Sequence, residues 1–361
     1  MDRSYIAFLF IISFLTIACS KMEFPEGDWI EKTPESQHMD ALKLDEAMAY
    51  LAGQCGEHGT DQAVVIRNGY MIWKGDDIDH KHNVWSCSKS FTSTVLGLLI
   101  DLGKCQLDTK AGDFVPDLKS RYPEVTLRHF ATMTSGYDAV GGDQSGTPYQ
   151  IEIPLFEPGS MYKYHDCAMN QFANVLTRIA GEPVEELFKR KIADPIGMDL
   201  SQWDWQDWGM IDGLLVNGGA GNKSKGVHIS AREMARFGHL FLNRGNWDGK
   251  QLISSEWVEK ATTVQVERSL PAISTTSNRG PGTYGFNWWV NGIGPDGIRK
   301  WPSAPPGTFA ALGHNNNVCL VIPAWNMVIV RLGMDGNIPD EKWDLFLKMV
   351  SEAVDYQHNT I

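Results

Sequence analysis

Residues 84–102, VWSCSKSFTSTVLGLLIDL, decide how the rest of the chain is read. Downstream of Ser86, Phe91, Val95, Leu96, Leu98, Leu99 and Ile100 fill most faces of a helical projection. A helix so apolar all round is a buried one, and Gly103 is a natural stop. Ser86 and Lys89 stand one turn apart at its start. Side chains at this spacing share a helix face, so the lysine amine is within reach of the serine hydroxyl. If the site is desolvated or holds another cation, the amine can take the hydroxyl proton while the oxygen attacks a carbonyl. The serine's own N–H, at the positive end of the helix dipole, is placed to meet a developing oxyanion. The same residues admit a plainer reading, a serine N-cap beside a solvated lysine.

Spacing does not separate the two, because Ser160 and Lys163 in PGSMYKY repeat it. Context distinguishes them. Ser160 follows the turn pair Pro158-Gly159 with no long apolar helix beginning there, whereas Ser86 follows Val84-Trp85 and opens a buried helix.

Working outward, AVVIRNGYMIWKG (63–75) reads as two short strands about Asn68-Gly69, a strong hairpin signal. Helical spacing predicts helices over 42–54, 126–134, 167–180, 184–191, 230–243 and 340–354. Strands return late, over TYGFNWWVN (283–291), NVCLVIP (317–323) and MVIVRLG (327–333). This order implies a mixed α+β fold, an antiparallel sheet built from both chain ends and flanked by helices. A mainly helical lobe over roughly residues 105–230 is inserted between them, and sites favour such seams.

The chain has 361 residues, 43% of them hydrophobic, and a formal charge of −12. It can build a large core, and it has no basic stretch for nucleic-acid phosphates. Residues 1–19, MDRSYIAFLFIISFLTIAC, place Arg3 before an apolar run too short to span a bilayer comfortably. The pattern is a secretory signal, and LTIAC resembles a bacterial lipoprotein signal in which Cys19 is lipidated. An ordinary cleaved signal peptide is the alternative. Residues 20–38 are expected to be a tether, and 39–361 the functional domain. The other cysteines, Cys55, Cys87, Cys105, Cys167 and Cys319, fit no zinc spacing and read as buried free thiols.

Several ordered segments together resemble the serine β-lactamase-related family: class C β-lactamases, D-alanyl-D-alanine peptidases, esterases and 6-aminohexanoate-dimer hydrolases. They are WSCSKSFTSTVLGLLIDLGKCQLD (85–108), TLRHFATMTSGY (126–137), FEPGSMYKYHD (156–166), the segment 218–257, YGFNWWV, and GHNNNVCLVIPAWNMVIVRLG. The resemblance runs from about residue 45 to 335 and implies the β-lactamase/transpeptidase-like fold. It makes Ser86 the acylated nucleophile, Lys89 its proton acceptor and Tyr164 the tyrosine that shares the base role and protonates the leaving group. A phenol suits that task if nearby cations, here Lys89, lower its pKa.

Two positions depart from the family pattern. Asp166 stands where an asparagine is usual, and a carboxylate only accepts hydrogen bonds. It is expected either to hold Lys89 charged or to recognise a cationic or hydroxyl-rich substrate. The third motif, Lys-Thr-Gly or His-x-Gly in relatives, reads His314-Asn315-Asn316. A histidine pairs with a substrate carboxylate less well than a lysine does, and Asn316 adds bulk where glycine is usual. The resemblance places His314, Asn316 and Asn317 against substrate, with a backbone N–H near Asn316 or Asn317 completing the oxyanion hole; a His314 that only satisfies a core hydrogen bond is the alternative.

Other candidates carry less. His80 and His82 have no third metal ligand at a recognisable spacing and read as surface histidines. Trp203, Trp205 and Trp208 read as loop aromatics roofing a core, or as a stacking surface for an apolar or sugar group. Gly218, Gly219 and Gly221 read as a turn near the pocket mouth. The expectation is an exported, lipid-anchored serine hydrolase of small esters or amides, needing no metal or cofactor and touching the membrane only through its anchor. A penicillin-recognising enzyme and a non-catalytic binding lipoprotein are the alternatives.

Overall fold

The computed structural model describes residues 22–144, 146–273 and 280–354. Its centre is a six-stranded antiparallel sheet. In order, the strands are Trp289–Val290, Phe309–Gly313, Asn317–Ile322, Met327–Arg331, Ala63–Arg67 and Tyr70–Lys74. Both chain ends therefore meet in the middle, where Ala63–Arg67 pairs with Met327–Arg331. Asn68 and Gly69 turn the first hairpin with φ of 52° and 85°, the left-handed values that a two-residue hairpin turn requires.

Alternation assigns the faces. Val65, Ala310, Val318, Leu320 and Ile329 point to one side, where they pack with helices Ala41–Gln54 and Asp340–Ala353. Val64, Ile66, Phe309, Ala311, Val321 and Val330 point to the other, into the larger core with helices Ser88–Asp101 and Ala231–Leu242. The inserted region carries helices Pro116–Arg121, Leu127–Ala131, Asp166–Ala180 and Val184–Phe188, and it shares this larger core. It also carries two small sheets, one of which recruits His82–Asn83.

Three expectations need correction. Residues 22–38 are not a free tether. Trp29 is buried, Phe24 packs on His239 and Trp247, and the Glu23 N–H donates to the Asn68 carbonyl at 3.0 Å. The buried side of helix Ala231–Leu242 holds this segment. Arg236 donates to the carbonyls of Pro25 and Gly27, and His239 meets that of Glu23 at 2.8 Å.

The strand expected over 283–291 is extended only at Trp289–Val290. Asn287, at φ 57°, bends the chain before it. Finally, a strand lies at Phe309–Gly313 where the sequence reading placed none. Its alanines and glycine are weak strand formers, but a Cβ at Gly313 would overlap the Val84 carbonyl oxygen. Small residues let this strand press against the turn that precedes Ser86.

The cysteines Cys87, Cys105, Cys167 and Cys319 are buried free thiols, and Cys55 is a half-buried one. Cys19 and the rest of the signal-like segment lie outside the described residues.

Candidate active site

The helix at Ser86 begins tightly. Trp85–Cys87 forms a 3-10 turn that runs into the α-helix Ser88–Asp101. Trp85 enters it at φ 45°, a costly backbone for a bulky residue. Buried Asn83 holds that turn from below. Its Oδ1 accepts from the Trp85 N–H at 3.1 Å, and its Nδ2 donates to the Gly221 carbonyl at 3.1 Å. Ser86 lies in the first turn, where N–H groups lack intrahelical partners.

Lys89 is buried, at 1% exposure. Its ammonium donates three hydrogen bonds: to Ser86 Oγ at 2.7 Å, to Asp166 Oδ1 at 2.7 Å and to the Ala220 carbonyl at 3.2 Å. All three donors of an ammonium are thus accounted for. The Ala220 carbonyl is aimed by Asn170, whose Oδ1 accepts from the Ala220 N–H at 3.2 Å. The glycine-rich stretch 218–221 is therefore a lysine seat as well as the approach to the cavity lining at Asn222 and Lys223. Gly221 has φ 84°, and a Cβ there would overlap the Trp85 carbonyl oxygen.

Of the two roles open to Asp166, the geometry realises the first: it is the counter-ion of Lys89. It opens helix Asp166–Ala180, and its own N–H donates to Asp143 Oδ1 at 2.5 Å. Burial pushes the Asp143 carboxyl up. His165, the helix N-cap, accepts from the Ala168 N–H at Nδ1 and meets Asp138 at 3.1 Å through Nε2; burial lowers its pKa.

Tyr164 is half-buried, with its phenol beside Ser86. The expected lowering of its pKa is not what this environment does. Burial, reinforced by the Asp166 carboxylate, holds the phenol well above its ordinary value. Lys89 is already neutralised by Asp166, and its Nζ sits 4.6 Å from the Tyr164 ring centroid, over the face. Trp289 stacks on the same ring at 5.8 Å.

The third-motif residues divide. His314–Asn316 is the tip of the hairpin between strands Phe309–Gly313 and Asn317–Ile322. His314 lines the cavity above Ser86, its ring 5.6 Å from that of Trp85. Asn316 and Asn317 turn their side chains elsewhere. Asn316 bonds the main chain of Ile338 in both directions, and Asn317 donates to the carbonyls of His314 and Gly333. The Asn317 N–H is itself given to the His314 carbonyl, so it is no oxyanion donor. Substrate contact at Asn316 and Asn317 side chains is corrected accordingly: both hold the hairpin tip, which buried Arg331 also grips through the Asn315 carbonyl at 2.6 Å.

The cavity holds about 300 Å³ and is lined by Trp85, Ser86, Gln144, Asp166, Asn222, Lys223 and His314. Sequence reasoning missed Gln144, Asn222 and Lys223, since nothing in a loop's composition aims it at a pocket. The rival Ser160 is exposed, its hydroxyl given to the Glu157 carbonyl at 2.6 Å. His82 is buried, contrary to expectation, with both ring nitrogens engaged by Asn83 and Gln62. Trp203 and Trp205 are core residues. Among the described residues no cluster of three metal-ligating side chains occurs.

Comparison with known proteins agrees with this geometry. The β-lactamase family pattern matches residues 58–336. A 6-aminohexanoate-dimer hydrolase of Paenarthrobacter ureafaciens is 24% identical over 280 residues, covering 67% of this chain and 69% of its own. Among solved structures, a family VIII carboxylesterase superposes with a TM-score of 0.63 at 17% identity, over 90% of this chain and 98% of its own. A penicillin-binding protein homologue from Caulobacter crescentus gives 0.62 at 15% identity, over 86% and 97%. Because the family pattern spans well over half of the sequence and sets the Ser86–Lys89 turn inside it, this chain belongs to the β-lactamase family, a group of serine hydrolases sharing one fold.

Proposed function

We propose that the protein hydrolyses ester or amide bonds of a small substrate through an acyl-enzyme on Ser86, in the manner of esterases and 6-aminohexanoate-dimer hydrolases. The observation that carries this is the 2.7 Å contact between Ser86 Oγ and Lys89 Nζ at the floor of an open polar cavity. Ser86 Oγ attacks the carbonyl carbon as its proton passes to Lys89, which releases one of its own to Asp166. The Ser86 N–H supports the oxyanion. As the bond to the leaving group breaks, Tyr164 donates its proton there and is reprotonated from Lys89. Water then attacks the acyl carbon by the reverse relay, freeing the acid and restoring Ser86.

A fluorophosphonate probe tests the reading. Labelling of the wild type and not of Ser86→Ala supports it; an unlabelled wild type favours the non-catalytic binding protein. Turnover of a chromogenic cephalosporin in preference to p-nitrophenyl esters and short amides would favour a penicillin-recognising enzyme instead. The signal-like residues 1–19 support export with a lipid anchor at Cys19. Palmitate incorporation in a bacterial host, absent from Cys19→Ser, checks that part.

A further inference from the structure

Helix Asp166–Ala180 presents Asp166 to Lys89, and its N-cap is a histidine rather than the usual Ser, Thr, Asp or Asn. His165 is buried, and both of its ring nitrogens are committed. Nδ1 accepts from the Ala168 N–H at 3.3 Å, and Nε2 lies 3.1 Å from Asp138 Oδ1. One tautomer satisfies both contacts, a neutral ring with its proton on Nε2.

A third contact belongs to a different protonation state. Asp143 Oδ1 stands 3.3 Å from the same Nδ1. With a neutral ring this brings two acceptors together; with an imidazolium it is an ion pair. The same Asp143 Oδ1 takes the Asp166 N–H at 2.5 Å. A proton on Nδ1 therefore has two effects at once. It removes the acceptor of the Ala168 N–H, and it competes with the Asp166 N–H for the Asp143 carboxylate. The charged groups around the ring are Asp138 and Asp143, from the loop after Tyr137, and Lys163, from the segment before the helix. Asp166 and Lys89 stand behind Asp143.

We propose that His165 is a positioning residue that turns the site off in acid. Neutral, it caps the helix that holds Asp166 on Lys89; protonated, it gives up that cap and pairs with Asp143. The inference rests on the hydrolase reading and adds a pH control to it. With the cap lost and Asp143 drawn to the imidazolium, Asp166 is no longer fixed behind Lys89, and the lysine loses the carboxylate that takes its proton. Burial, opposed by the two aspartates, lowers the affinity of the ring for a proton, so the change falls on the acid side of 6.5.

The test follows the rate of fluorophosphonate labelling of Ser86 from pH 7.5 to 4.5, which requires no knowledge of the substrate. The Ser86→Ala background is subtracted, and each protein is scaled to its own rate at pH 7.5. Circular dichroism at each pH confines the comparison to folded protein. His165→Asn supplies a capping oxygen that does not titrate. Its scaled rate at pH 4.5 should exceed that of the wild type by about fivefold or more. Asp143→Asn still accepts the Asp166 N–H but lacks the charge that draws the proton, so its acid midpoint should lie below that of the wild type by about half a pH unit or more. Superimposable profiles for wild type and His165→Asn overturn the proposal, as does an Asp143→Asn midpoint at or above that of the wild type. The second comparison decides alone if His165→Asn does not fold. In each of these cases labelling at pH 7.5 leaves the hydrolase reading standing; a wild type that refuses the probe at every pH ends both.

Discussion

Lys89 and Asp166 form a buried ion pair, Nζ to Oδ1 at 2.7 Å, while the same Nζ holds Ser86 Oγ at the same distance. The carboxylate stands behind the lysine and orients it, and in the proposed reaction it accepts the proton that Lys89 releases. The pair also carries a structural consequence. Removing one partner leaves the other charge buried and uncompensated, which typically costs about 3–5 kcal/mol. Asp166→Ala should therefore lose stability on that order in urea denaturation, and Asp166→Asn, which keeps an accepting oxygen, distinctly less. An Asp166→Ala protein as stable as wild type would show that the pair is not formed.

Tyr164→Phe separates packing from proton transfer. The phenyl ring retains the Trp289 stack and the contact with Lys89, so thermal stability should hold. Loss of the phenolic proton donor should lower kcat by roughly 10²–10⁴, the usual worth of a positioned acid. Unchanged turnover would remove Tyr164 from the reaction.

Ser160→Ala is the control for the repeated spacing. Its hydroxyl is engaged by Glu157 on the surface, so fluorophosphonate labelling and ester hydrolysis should stay within about twofold of wild type.

Gly221→Ala tests the lysine seat. A methyl at φ 84° both strains the backbone and meets the Trp85 carbonyl, at a cost of about 1–3 kcal/mol for the strain alone. The variant should lose stability by at least that much and lose activity further, because Ala220 and Trp85 shift together.

His239 predicts a pH signature in the docked N-terminal segment. Burial pushes its pKa from 6.5 down to about 4. A depressed value means the folded state binds a proton less readily than the unfolded chain. Its stabilising contribution is full above about pH 6.5 and is lost as pH falls through 4. At roughly 1.4 kcal/mol per unit, the wild type should lose about 3 kcal/mol more than His239→Phe between pH 7 and 4. Glu233, raised to about 7 chiefly by burial, works oppositely, its contribution lost as pH rises from 4.5 through 7. Parallel denaturation curves for wild type and His239→Phe at both pH values would contradict the assignment.

The sequence by itself determined the Ser86–Lys89 turn, the first hairpin and the sheet closed from both ends. Each is written in local periodicity, in one helical turn, or in a turn pair with a single conformational solution. Tertiary structure decided the rest. The strand Phe309–Gly313 is composed for closeness to the Ser86 turn, not for strand propensity, so only its neighbour explains it. Residues 22–38 look polar and loose, yet a buried arginine and histidine far along the chain fasten them. Asp166 is an ordinary helix-start acid until Lys89, 77 residues away, is folded against it. Lys223 and Asn317 show why such roles stay hidden in sequence: where a side chain points, and whether an N–H is already spoken for, depend on partners that only folding brings together.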